Sequence, residues 1–247
     1  MKQDSSAGAL RRIEGGNGRL LFLCDHASNA LPPGVSLGVP PDAMHQHVAF
    51  DLGAAALTEA LAARFDAPAI LGGWSRLLVD CNRPPELAVP ERSDGIIIPA
   101  NVGMEQDELR FRLSVHAAFH DAITAAIDSR RPEIIVSVHS FTPALVSAPA
   151  PRPWPIALLW NEDDRATIPA AAALRARDLG GPLGLNEPYS GKTLNYTMDR
   201  HAEDRGIASL GFEVRQDMLA DAAGVARWAA IMAAGIEAAL EAGPWAS

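Results

Sequence analysis

Ile134-Ile135-Val136-Ser137-Val138-His139-Ser140-Phe141-Thr142-Pro143 is a short, β-branched, apolar run that ends in a histidine. A run of this length without polar alternation reads as a strand buried on both faces. Its polar residues gather at the C-terminal end, where open α/β sheets place their ligands. Two further stretches have the same form. Arg19-Leu20-Leu21-Phe22-Leu23-Cys24-Asp25-His26-Ala27-Ser28-Asn29 lies near the start, and Ser209-Leu210-Gly211-Phe212-Glu213-Val214-Arg215-Gln216-Asp217 near the end. Two strand ends thus carry histidines, His26 and His139, and a third carries Glu213 and Arg215. This is the pattern of a metal-hydrolase site built on strand ends.

Working outward, strands are expected over residues 19–24, 69–71, 75–79, 134–139, 156–160 and 209–214, with 96–98 as an edge strand. Helices are expected over 41–65, 105–130, 163–178, 193–206 and 217–241, and loops over 141–155 and 183–192. Strands alternate with helices along the chain, which argues for a layered α/β domain. In the first helix His47 and Asp51, four residues apart, would share one face.

The chain has 247 residues with 48% hydrophobic and 21% charged residues, enough to build a sizeable core. Its formal charge of −9 comes without a basic run, which disfavours nucleic acid and anionic membrane as partners and favours a small molecule. Cys24 and Cys81, the two cysteines, sit in apolar runs and read as free buried thiols of a reducing compartment, with the cytoplasm as the default location. No stretch approaches the ~20 apolar residues of a membrane helix. Residues 1–17 are polar and Gly-rich without the apolar segment of a signal peptide. The chain therefore divides into a flexible N-terminal arm over 1–18 and a single domain over 19–247.

Neutral imidazole suits zinc, and a catalytic zinc site needs three protein ligands and an open fourth position. His26 and His139 supply two, and Asp51 is the choice for the third, with His47 as an alternative ligand or supporting partner. Glu213 has two readings: an ion-pair partner of Arg215 on the same strand face, or a general base that takes a proton from water and passes it to a leaving amine. Arg76, Arg83 and Arg215 stand beside strand ends or locked turns, and a planar guanidinium binds carboxylate in a bidentate way. Ser190 and Tyr189 lie in a turn-rich loop that could add donors. Neither a Gly-x-Gly-x-x-Gly nor a phosphate loop nor a Gly-x-Ser-x-Gly elbow occurs. His116 and His120 are four apart on a helix without a zincin glutamate and read as core-edge residues.

Six motifs then stand in order: Cys24-Asp25-His26-Ala27-Ser28-Asn29, His47-Val48-Ala49-Phe50-Asp51-Leu52-Gly53-Ala54, Ser75-Arg76-Leu77-Leu78-Val79-Asp80-Cys81-Asn82-Arg83-Pro84-Pro85, Ser137-Val138-His139-Ser140-Phe141-Thr142-Pro143, Asn186-Glu187-Pro188-Tyr189-Ser190-Gly191 and Glu213-Val214-Arg215-Gln216-Asp217. Together they resemble the N-formylglutamate amidohydrolase family, which is similar in fold to zinc carboxypeptidases and aspartoacylases. The resemblance implies a three-layer α/β/α sandwich around a mixed, mostly parallel sheet of the phosphorylase/hydrolase-like kind. It implies hydrolysis of an N-formyl or other N-acyl amino acid, such as N-formylglutamate, to the free amino acid and a carboxylic acid. It implies a metal, zinc or another divalent ion, held by His26, Asp51 and His139, with Glu213 as base. Arg76, Asn82, Arg83, Ser190 and Arg215 would bind the substrate. Carboxypeptidase-like sites carry His-x-x-Glu as their first ligand pair; here the fourth position is Asn29, which shifts weight to Asp51. The rival functions are a non-catalytic amino-acid-binding protein on the same fold and a small zinc peptidase.

Overall fold

A computed structural model describes residues 8–245. Among the described residues nine strands and five α-helices follow in chain order: β1 (Leu10–Ile13), β2 (Leu20–Cys24), α1 (Ala54–Phe65), β3 (Ala69–Gly72), β4 (Arg92–Ser93), β5 (Ile96–Ile97), α2 (Gln106–Arg130), β6 (Ile134–Phe141), β7 (Ile156–Leu159), α3 (Thr167–Arg175), β8 (Leu183–Leu185), α4 (Tyr196–His201), β9 (Ala208–Arg215) and α5 (Ala222–Ala242). Seven strands make one sheet in the order β1-β3-β2-β6-β9-β7-β8. β3, β2, β6 and β9 run parallel, β1 is antiparallel to β3, and β7 with its parallel neighbour β8 is antiparallel to β9. β4 and β5 form a separate hairpin.

The strands are apolar on both faces because both faces are covered. Leu20, Phe22, Val136, Val138 and Leu210 pack against Leu57 and Leu61 of α1, Leu174 of α3, and Trp228 and Met232 of α5. The alternate positions Leu21, Leu23, Ile70 and Ile135 meet Phe119 and Ile123 of α2 and Met198 of α4. This is the expected three-layer α/β/α sandwich around a mixed, mostly parallel sheet. Each large side chain buried in it contributes ~1.5–3 kcal/mol by transfer from water.

Several expectations are corrected. Leu10–Ile13, placed in a flexible arm, is an edge strand whose backbone pairs with β3; main-chain pairing needs no apolar pattern, so polar Arg11 and Arg12 did not reveal it. Residues 1–7 of that arm lie outside the described residues. The helix expected over 41–65 is a short 3-10 turn, Pro41–His45, followed after a break by α1. The break comes at Gly53, whose φ of 80° and close approach to Leu219 exclude a side chain. His47 and Asp51 therefore share no helical face. Residues 75–79 form a turn, because the Ser75 hydroxyl and carbonyl accept the N–H groups of Leu77 and Leu78. The loop expected over 183–192 contains β8, and the helix expected over 193–206 is the shorter α4 plus a 3-10 turn at Glu203–Arg205. α5 is, among the described residues, long and apolar enough to cross a membrane by length and composition, contrary to the expectation that no such stretch exists. Here Trp228, Met232, Ile236 and Ala239 of that helix are buried in the core.

The chain passes from β2 outward to β3 and then back across to β6, so the order reverses between β2 and β6 and opens a crevice at their C-terminal ends. Gly72 guards the rim. A Cβ there would lie 2.1 Å from the Asp25 carbonyl oxygen. Gly72→Ala should therefore cost ~1–3 kcal/mol in denaturant unfolding, while Gly18→Ala, whose nearest neighbour would stand at 3.7 Å, should be nearly neutral; equal midpoints for the two variants would contradict this packing.

Candidate active site

The parallel strand ends deliver the chemistry. β6 and β9 pair in register from Ile134↔Ala208 to Phe141↔Arg215, which sets His139 directly beside Glu213. β2 ends at Cys24, and the turn after it carries Asp25 and His26. Asp51 reaches the same point because its own N–H donates to the His26 carbonyl at 2.9 Å. One ligand atom each from His26, Asp51 and His139 lies within 4.8 Å of the others, and all three residues are buried.

Hydrogen bonding orients both rings. His139 Nδ1 is 2.9 Å and His26 Nδ1 3.4 Å from the same Asp51 oxygen, Oδ2. Their Nε2 atoms point away: that of His26 is 2.7 Å from Asp80, that of His139 3.4 Å from Asp25. Thr197 Oγ1 donates to the other Asp25 oxygen at 2.6 Å. Arg76 fixes Asp80 with bonds of 3.2 and 2.7 Å and stands 3.6 Å from Asp51.

Two imidazoles whose Nδ1 atoms converge on one carboxylate, with Asp80 bonded to one Nε2 and an otherwise unpartnered Asp25 oxygen 3.4 Å from the other, could hold a metal ion. The residues present fit such a metal. His47 and Asn29, the alternatives to Asp51, are committed elsewhere: His47 Nε2 lies 3.0 Å from Asp94, and Asn29 Nδ2 donates to the Met44 carbonyl at 2.7 Å.

Electrostatics separates the acids. Burial disfavours the Asp51 charge, but the two histidines outweigh it and hold its pKa far below the usual carboxylate range. Burial likewise opposes a charge on His139, yet Asp25 and Asp51 raise its pKa well above that of a free imidazole. Glu213 goes the other way. Burial pushes its pKa up to about 7, and its Oε2 is buried without a hydrogen-bond partner.

The site opens into a cavity of ≈ 230 Å³ whose wall includes His26, Asp51, Arg76, Asn82, Arg83, His139 and Glu213. Asn82 accepts the Thr197 N–H on its side-chain oxygen Oδ1, which leaves its side-chain NH2 group as a donor. Two expected substrate residues are not in that wall. Arg215 is held by Asp217 at 2.7 and 3.1 Å, and Ser190 Oγ accepts the Lys192 N–H. Tyr189 lines the cavity instead, its hydroxyl accepting from Arg152 at 2.9 Å. The Glu213–Arg215 ion pair, one of the two readings of Glu213, does not form, since Arg215 is paired with Asp217. Asp25, Asp80 and Asp94 had no role in the sequence reading; a histidine ligand's need for an outer carboxylate is the signal that points to the first two. His116 and His120 lie behind the site as buried residues, with His120 bonded to the Cys81 carbonyl and to His201.

The raised pKa of His139 predicts that metal uptake displaces a proton. Apparent zinc affinity of the metal-free protein should rise by about tenfold per pH unit below that pKa, and calorimetry in buffers of different ionisation enthalpy should report the proton released. An affinity independent of pH between 5 and 7 would contradict the arrangement.

No curated protein matches the chain. The crystal structure of the Atu2144 gene product of Agrobacterium tumefaciens superposes with a TM-score of 0.88 at 28% identity, covering 97% of each chain. N-formylglutamate amidohydrolase from Ralstonia eutropha JMP134 superposes with a TM-score of 0.66 over 95% of this chain and 98% of that one; at 17% identity the likeness is one of fold. The family model of N-formylglutamate amidohydrolase matches residues 18–220. With that match spanning most of the chain and covering every strand end described above, the chain belongs to the N-formylglutamate amidohydrolase family, hydrolases that act on an amide bond.

Proposed function

We propose that the chain is a metal-dependent amidohydrolase that cleaves an N-formyl or other N-acyl amino acid to the free amino acid and a carboxylic acid. The observation that carries this reading is the buried convergence of His26, Asp51 and His139 beside Glu213, which is set in register with His139. A divalent ion held by those three residues, zinc by the chemistry of its donors, supplies Lewis-acid activation of water and of the acyl carbonyl.

Glu213 is the general base. Its carboxylate removes a proton from the attacking water as the water oxygen joins the acyl carbon. The same proton passes to the amide nitrogen as the C–N bond breaks, which releases the amine. Between the two transfers the proton rests on the Glu213 carboxyl. Arg76, immobilised by Asp80, presents a fixed positive charge to the cavity where negative charge develops on the acyl oxygen. Arg83 and the Asn82 amide bind the substrate carboxylate. Arg215 and Ser190 have no part in this mechanism.

Glu213→Gln should lower kcat by ~10²–10⁴ on N-formyl amino acids while zinc content stays at the wild-type level; wild-type turnover in that variant, or turnover that survives complete chelation, would exclude the mechanism. A protein that binds zinc and amino acid but hydrolyses no N-acyl amino acid would instead be a binding protein.

Glu213 also shapes stability. Its folded pKa of about 7 exceeds the ordinary value of 4.5, so the metal-free protein loses stability as pH rises from about 4.5 through 7, where the unfolded carboxylate is charged and the folded one resists charging. Glu213→Gln should therefore melt at the same temperature as wild type at pH 4.5 and higher at pH 8; the reverse order in a thermal scan of metal-free protein would contradict the burial of this acid.

A further inference from the structure

N-formylglutamate carries two carboxylates, and a site that binds both needs two cations free to receive them. The arginines of this site do not meet that requirement. Arg76 is clamped by Asp80 and stands beside Asp51. Arg215 is paired with Asp217 and gives its remaining donor to the Arg152 carbonyl. Arg152 is turned to the Tyr189 hydroxyl and ring and to the Thr142 carbonyl. Arg92 lines a neighbouring surface cleft. Among the described residues, Arg83 is the one guanidinium in the cavity wall with no carboxylate within ion-pair distance, its NH1 donating to the Asn82 backbone carbonyl.

The same wall carries a further acid. Asp94 is fixed there by the N–H groups of Val146 and Ser147, by the Ser147 hydroxyl and by His47. These bonds keep it ionised, with its pKa lowered to about 2. A second substrate carboxylate would be desolvated in this cavity beside Asp94, where the other arginine of the wall, Arg76, is already paired to Asp80.

We infer that the substrate is an N-acyl amino acid with one carboxylate and an uncharged side chain, anchored through Arg83, and that Asp94 is the residue that turns away a second acid. This inference rests on the amidohydrolase reading for its acyl group, but the charge pattern that carries it is independent of the chemical step.

The test compares kcat/KM of the zinc-loaded wild-type protein for N-formylalanine, N-formylmethionine, N-formylaspartate and N-formylglutamate. The neutral substrates should exceed the acidic ones by roughly tenfold or more, the scale set by one unpaired desolvated charge. Arg83→Gln should raise KM for every substrate, and Asp94→Asn should narrow the gap between neutral and acidic ones. N-formylglutamate hydrolysed as well as or better than the neutral compounds would overturn the inference. Calorimetric binding of N-formylalanine and N-formylglutamate to Glu213→Gln separates the two levels. Preferential binding of the neutral ligand without hydrolysis of any compound by wild type would keep this inference and sink the amidohydrolase reading. Equal or tighter binding of the acidic ligand would sink this inference alone.

Discussion

A buried carboxylate, Asp51, faces two buried imidazoles, and much of the molecule exists to hold it there. Burying a charge costs several kcal/mol unless it is paired and hydrogen-bonded. Asp51 meets that cost with His26 and His139 through Oδ2, with the Ser140 N–H, and with Arg76 3.6 Å from Oδ1. Each of those partners has its own anchor: Asp80 for both His26 and Arg76, Asp25 for His139, and Thr197 of α4 for Asp25. Removing one member would strand a charge for the next. That interdependence explains why three aspartates and two histidines sit together where hydrophobic residues would otherwise fill the core.

The sheet makes this possible by register. β6 and β9 share an eight-residue parallel ladder, so a histidine and a glutamate 74 positions apart in sequence become neighbours. β2 brings His26 to the other side of the crevice, and the turn closed by the Asp51 N–H to the His26 carbonyl bends the chain back before α1 starts. Glu213 sits on the central part of the sheet, flanked by β6 and β7. Its burial is what raises its pKa in the metal-free protein.

The core of this arrangement was legible in the sequence. Apolar runs ending in His26, His139 and Glu213 marked the strands and their functional ends, because a strand buried on both faces has a distinctive composition. Three features were hidden. β1 is held by backbone pairing that leaves no side-chain pattern. The break before α1 follows from a left-handed Gly53 within an otherwise helix-favouring segment, a tertiary demand that propensity does not encode. The fate of the arginines was the third. Arg215 looked available from its place after Glu213, but Asp217, two residues on, takes its guanidinium. A charge's partner is decided by geometry, and sequence proximity to a site does not reveal which cations remain free.

The central claim is that His26, Asp51 and His139 form one metal centre. X-ray absorption spectroscopy of the zinc-loaded protein tests it most directly. The account predicts a first shell of two imidazole nitrogens with oxygen donors completing it, at the ~2.0–2.2 Å of zinc–nitrogen and zinc–oxygen bonds, and loss of an imidazole signal in His139→Ala. A shell containing sulfur at ~2.3 Å, or an imidazole count unchanged by that substitution, would contradict it.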